Sequence, residues 1–146
     1  MSISTIKAAI KTNLDELVVS EVLAGASVGE MKINPLDADI AAYPHAFLMP
    51  PSVQSEVLDN RTVTRTYTFT ILTLFKGEDL EETADLETKI ESVLSKFDND
   101  PTLSGTALGG VLPVSSAPEP FQHNHTQLVA VEFNIEAKEV VSLSFA

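Results

Sequence analysis

Apolar residues recur three and four positions apart at the start of the chain. Ile3, Ile6, Ile10, Leu14, Leu17 and Val18 form one stripe, the spacing of a helix with a single buried face. Lys7, Lys11, Asp15 and Val19 fall outside that stripe, and the stretch from Gly25 to Gly29 is expected to end it. A helix with one stripe must lie on something flat. Residues 26–42 carry no such period and read as loop or a short turn of helix. From Tyr43 the chain is expected to extend, because Pro44 disfavours helix in the residue before it. Ala46-Phe47-Leu48-Met49 is then a short apolar run stopped by Pro50-Pro51.

Residues 61–76 carry the strongest strand signal. Val63, Tyr67, Phe69, Ile71 and Phe75 occupy one parity, and Thr62, Thr64, Thr66, Thr68 and Thr70 the other. Alternation of aromatic and β-branched residues with period two reads as a half-buried strand, here roughly 50 Å long at about 3.3 Å per residue. Residues 52–58 precede it, with Asp59-Asn60 as a two-residue turn. The pair predicts a long hairpin whose tip, residues 56–65, is too polar for the core and projects beyond it.

A second helix is expected over 80–97. Asp79 is its N-cap and Glu82 the capping-box partner. Leu86, Ile90, Val93, Leu94 and Phe97 form its stripe, and Asp98-Asn99-Asp100-Pro101 stops it. Beyond it, residues 106–115 and 127–138 read as strands, and 140–145 as a terminal extension or edge strand. The order predicts an α+β fold, a mainly antiparallel sheet with a long β-hairpin and two helices on one face. Phe69, Ile71, Ile90, Leu94, Val131 and Phe133 are expected to meet in its core.

Composition narrows the function classes. At 146 residues the chain suits one domain, residues 1–146, with roughly two-thirds of its unfolded surface buried. The absence of cysteine excludes disulfides, a thiol nucleophile and thiolate zinc sites. A net charge of −12 and a pI near 4.4 argue against a basic face for nucleic-acid phosphates. Neither an export signal nor a membrane span is evident, so a soluble protein assembled in a cytoplasm is expected. Residues 78–100 hold nine acids against two lysines. Acids in the first turn suit the helix dipole, yet Glu78/Glu82 and Glu81/Asp85 repel at i,i+4 spacing.

Candidate chemistry is sparse. His123 and His125 would point the same way on a strand and so offer a metal pair, but Pro118 and Pro120 before them predict a polar loop. Gly105, Gly109 and Gly110 lack the following helix and lysine of a phosphate loop; they suit a bent strand. No nucleophile elbow occurs, and the pair Asp37/Asp39 lies in a weakly patterned loop. The expectation is a protein that is not an enzyme, holds no metal or cofactor, and works by contact with other proteins.

In this order of elements the chain resembles the tail terminator proteins of long-tailed bacteriophages. The resemblance is carried by the opening helix, Tyr43-Pro44-His45-Ala46-Phe47-Leu48-Met49-Pro50, Arg65-Thr66-Tyr67-Thr68-Phe69-Thr70-Ile71, the helix 80–97 and Val129-Ala130-Val131-Glu132-Phe133-Asn134-Ile135. It implies a virion protein of the tail and neck: a homo-oligomeric ring, a hexamer, capping the tail tube and joining tail to head. Its implied partners are its own copies, the tail tube protein and a head completion or connector protein, with DNA only passing through and no membrane. Arg61, Thr62, Thr64 and Arg65 on the hairpin tip, with Glu81 and Asp85 on the acidic helix, are then the candidate interaction residues. Two other readings stand beside it: another neck ring protein, such as a head–tail connector, and a small metal- or ligand-binding domain using His123 and His125.

Overall fold

The computed structural model describes residues 3–28, 43–76, 83–100, 113–115, 119–123 and 126–142. Helix α1 (Ile3–Val19) buries Ile6, Ile10, Leu14 and Leu17, as its stripe predicts. It ends six residues before Gly25, just short of a corner made by Glu21, whose φ is +66°. The N–H groups of Glu21 and Val22 there donate to the carbonyls of Val18 and Leu17 at 3.1 and 3.0 Å, closing the last turn as a Schellman motif without the usual glycine. Gly25 serves a different need. It opens strand β1 (Gly25–Val28), and a Cβ there would sit 2.8 Å from Nδ1 of His45 on the neighbouring strand.

Seven strands form one sheet in the order β1, β2 (His45–Leu48), β4 (Thr62–Lys76), β7 (Thr126–Ser142) and β5 (Pro113–Ser115), with β3 (Ser52–Val57) also alongside β4 and β6 (Glu119–His123) alongside β7. Its axis is the antiparallel ladder of β4 (Thr62–Lys76) and β7 (Thr126–Ser142), which runs from Thr62 opposite Ser142 to Lys76 opposite Leu128. Residues 140–142 thus continue a central strand and form no separate edge strand. Odd positions of both strands face the same way. Phe69 lies opposite Ile135 and Ile71 opposite Phe133, and all four are fully buried.

Two strands run end to end along the outer side of β4. β2 (His45–Leu48) covers residues 71–74, and β3 (Ser52–Val57) covers 63–68. Between Leu48, opposite Ile71, and Ser52, opposite Thr68, the outer side advances four residues while β4 advances three. Pro50-Pro51 lies in that step, where missing N–H groups cost no ladder bond. One extra residue inverts parity. Even residues Ala46 and Leu48 therefore share a face with Ile71, and odd residues Val53, Ser55 and Val57 share it after the step.

The outer side of β7 repeats this plan. β5 (Pro113–Ser115) lies opposite residues 133–135 and β6 (Glu119–His123) opposite 126–130, again with one extra residue on the outer side. The loop expected before His123 is an edge strand, a position that tolerates Pro120. The sheet is thus two hairpins with stepped first strands, side by side and pointing opposite ways. β1 pairs parallel with β2; residues 25–28 carry too little alternation for this to show in the sequence.

Both helices cover the odd face. Helix α2 (Thr83–Asp98) contributes Leu86, Val93 and Phe97 to the core shared with α1, β4 and β7, and Ile90 and Leu94 pack against it. Asn13 Nδ2, buried in α1, donates to Asp100 Oδ2 at 2.9 Å, and Lys96 pairs with Glu16, so the helices are tied along their contact. The capping residues expected at Asp79 and Glu82, and the residues 106–112, lie outside the described residues. Replacing Phe69 or Phe133 by alanine is expected to cost about 3–5 kcal/mol, read from urea unfolding midpoints; a loss under about 1 kcal/mol at both would mean the buried parity is the other one.

Candidate functional site

Among the described residues one end of the sheet has three strands, β3, residues 62–68 of β4 and residues 136–142 of β7, and Tyr67 and Ala137 there still belong to the core shared with the helices. All six residues of β3 are exposed. The turn joining β3 to β4 spans four residues, 58–61, rather than the expected two. Its residue Asp59 accepts the N–H groups of Arg61 and Thr62 at 2.7 and 2.9 Å. Those bonds, that of Arg61 foremost, hold the Asp59 carboxyl below the usual carboxylate range. Four exposed apolar side chains gather here: Val53, Val57, Leu58 and Val140.

Ladder parity shows which backbone groups face outward. Leu58 N–H donates to the Thr62 carbonyl at 3.1 Å, so 58 and 62 form a bonded pair, and bonded pairs recur every second residue. Ser52, Gln54 and Glu56 therefore bond to β4, while Val53, Ser55 and Val57 turn their N–H and C=O groups to the outer edge. The odd residues of β4 bond in turn to Ala137, Glu139 and Val141, which leaves the backbone groups of Glu136, Lys138 and Val140 on the opposite edge. Among the described residues no strand pairs with either edge.

The two faces of this three-stranded end differ. Thr62, Thr64, Thr66 and Thr68 line one, half-buried. On the other, Arg65 lies opposite Glu139, and Tyr67 donates its hydroxyl to Glu139 Oε1 at 2.5 Å. Tyr67 is 2% exposed and Glu139 4%. Burial, then the adjacent carboxylate, pushes the Tyr67 hydroxyl above its ordinary value, while Arg65 pulls it back. This buried polar pair stands in the part of the sheet expected to be a bare polar tip. Glu139 follows Lys138 near the end of a strand, which reads as solvent-facing; only the pairing register places it against Tyr67.

Arg61, Thr62, Thr64 and Arg65 are thus brought to one end of the molecule, with the two threonines on one face and Arg65 on the other. Asp85 is exposed on α2, an element that packs against β5 and α1, and is not part of that end. Glu81 lies outside the described residues, as do His125, Asp37, Asp39 and Gly105, Gly109 and Gly110. His123 closes β6. His45 opens β2, its Nε2 2.9 Å from Ser27 Oγ and its ring tilted against Phe47, with centroids 4.6 Å apart. Burial, then the charge of Lys11, lowers the His45 pKa from its ordinary value.

A cleft of about 480 Å³ opens where α1 ends, lined by Val18, Glu21, Leu23, Ala24, Tyr43, Pro44, Phe75, Lys76 and Lys89. Lys89 Nζ donates to the Val22 carbonyl at 3.4 Å across it. With Glu21 as its one carboxylate and no histidine, its lining offers no paired acid and base. Among the described residues no three His, Asp or Glu side chains gather as a metal site, and no helix is long and apolar enough to cross a membrane.

No family model and no curated protein matches the chain. Among solved structures it is similar to a chain of a "Virion of native gene transfer agent (GTA) particle", at 13% identity over 91% of this chain and 94% of that one, with a TM-score of 0.46.

Two outcomes are expected, one from Tyr67 and one from His45. Tyr67→Phe leaves a buried carboxylate oxygen without its donor and should cost about 1–3 kcal/mol in urea unfolding; an unchanged midpoint would mean that solvent replaces the hydroxyl. His45 takes up a proton less readily folded than unfolded, so its contribution is intact above the ordinary histidine range and is lost as pH falls below about 6.5. Melting curves of the native chain and His45→Gln between pH 7.5 and 5.5 isolate it, because the two differ at that side chain alone. The native chain should lose more stability over that interval.

Proposed function

We propose that the chain is a structural protein of a phage tail that forms a ring and acts as the tail terminator. The observation that carries this reading is β3, which has no strand on its outer side among the described residues and is exposed at every residue. An edge strand without lysine, proline or bulge is rarely left bare in a solitary domain, because it pairs with whatever strand it meets. A ring supplies that strand at every position.

The surrounding chemistry suits such a role. A net charge of −12 keeps an annular wall from holding DNA as it passes. The reading takes the chain as non-enzymatic and as located in the virion, between the tail tube protein and a head completion protein. The sequence resemblance supports it over the whole order of elements.

Light scattering of the purified chain, with and without tail tubes, tests the reading. A closed ring, seated on the head-proximal end of the tube in negative stain, is expected. A ring that binds heads and ignores tubes would favour a head–tail connector. A monomer under all conditions, with bare tube ends, would overturn both.

A further inference from the structure

Apolar exposure concentrates at one end of the molecule. Of the seven large apolar side chains exposed among the described residues, four stand beside the β3–β4 turn: Val53, Val57, Leu58 and Val140. Val57 and Leu58, at the turn itself, are 75% and 60% exposed, and every residue from 52 to 61 is exposed. Large apolar side chains gathered in this way mark a contact surface. Their charged neighbours are Glu56, Asp59 and Arg61, two acids and one base.

The other end carries the converse. The cleft where α1 ends has apolar walls from Val18, Leu23, Tyr43, Pro44 and Phe75, and its charged residues are Lys76, Lys89 and Glu21, two bases and one acid. On a chain of net charge −12, a surface with a surplus of lysine is where an acidic segment meets least repulsion. The volume of about 480 Å³ falls within the roughly 300–1,000 Å³ of pockets that enclose a small ligand. It suits a few side chains of a turn rather than a whole strand or helix.

We propose that the β3–β4 turn of one copy seats Leu58 in this cleft of the next copy, with Asp59 against Lys89. This rests on the ring reading above and names a contact that would build it. Two observations select a second copy of the chain as the occupant. The cleft takes Phe75 and Lys76 from the last two positions of β4, whereas the turn precedes its first. Residues 62 and 76 stand about 46 Å apart in an extended strand at roughly 3.3 Å per residue, so the turn cannot reach the cleft of its own copy. The two surfaces also match, apolar against apolar and a surplus of acid against a surplus of base. Because they differ from one another, their contact is heterologous, the kind that closes into rings of more than two.

Both sides present the required groups. Asp59 accepts the N–H groups of Arg61 and Thr62, which fixes the turn and keeps the carboxylate ionised. In the cleft Lys89 Nζ makes only a long bond, 3.4 Å, to the Val22 carbonyl, and an ammonium carries several donors.

Cysteine pairs test the contact, since the chain has no cysteine of its own. In Leu58→Cys/Val18→Cys and Leu58→Cys/Lys89→Cys the two thiols lie at opposite ends of one copy, far beyond the roughly 7 Å a disulfide can bridge. A link can therefore form only between copies. Oxidation of either variant, assembled on tail tubes, should give a ladder of linked chains ending at the subunit number of the ring, with single-cysteine variants unlinked. Leu58→Asp should raise the protein concentration needed for assembly on the order of tenfold and leave the urea midpoint of the single chain unchanged. Asp59→Asn keeps an acceptor for the turn and removes its charge. It should weaken assembly about threefold at low salt and leave it unchanged at high salt.

Rings that keep free thiols in both pairs, or that assemble normally with Leu58→Asp, would overturn the contact and leave the ring reading standing. Linking of Leu58→Cys alone would show turn meeting turn about a two-fold axis and overturn the contact as well. Leu58→Asp rings that no longer bind tubes would place the turn on the tube protein, with the same consequence. Chains that neither assemble nor link would overturn both.

Discussion

The antiparallel ladder of β4 and β7 is the constraint from which the other features follow. It is long enough to serve two purposes at once. Its inner part, around Phe69, Ile71, Val131 and Phe133, is the floor on which both helices rest. Its outer part continues the same pairing as far as Thr62 opposite Ser142, so that end inherits a fixed register from the core. A hairpin alone is marginal in water. Rooted in a packed sheet, it is held in one conformation and can offer its edges ready-made.

The proline step in the outer strand reconciles these two purposes. Beside the core, β2 must send Ala46 and Leu48 inward, and a continuation in the same phase would put the polar residues of β3 beneath the sheet's apolar face. The extra residue at Pro50-Pro51 resets the phase, so Val53 and Val57 lie on the side of Tyr67 while Gln54 and Glu56 join the threonines. β5 and β6 make the same adjustment along β7. In both hairpins the long strand stays regular and the short outer partner absorbs the change.

Much of this architecture is legible in the residues. The α1 stripe, the alternation of β4 and β7, the apolar face of α2 and the run before Pro50 depend on local period, which survives folding unchanged. What stays hidden depends on partners distant in sequence. β1 is a strand because β2 offers it a parallel edge, and Gly25 is required there by the ring of His45. β6 is a strand although prolines precede and interrupt it, because one of its sides needs no bonds. Helix α1 ends at Val19 because the chain turns at Glu21, a residue with no local preference for that corner. Of the candidate contact residues, four share one end because they are neighbours in sequence; their division between two faces follows from strand parity. The Tyr67–Glu139 pair spans 72 positions and leaves no trace in composition.

The step at Pro50-Pro51 also has a meaning in terms of chain length. Side-chain orientation in β3 depends on how many residues separate Leu48 from Ser52, whatever those residues are. A substitution between them alters local conformation, but loss or gain of one residue turns every side chain of β3 to the opposite side of the sheet. The segment therefore acts as a spacer whose count is constrained more tightly than its content, and variation in it should appear as exchange of residue type at constant length.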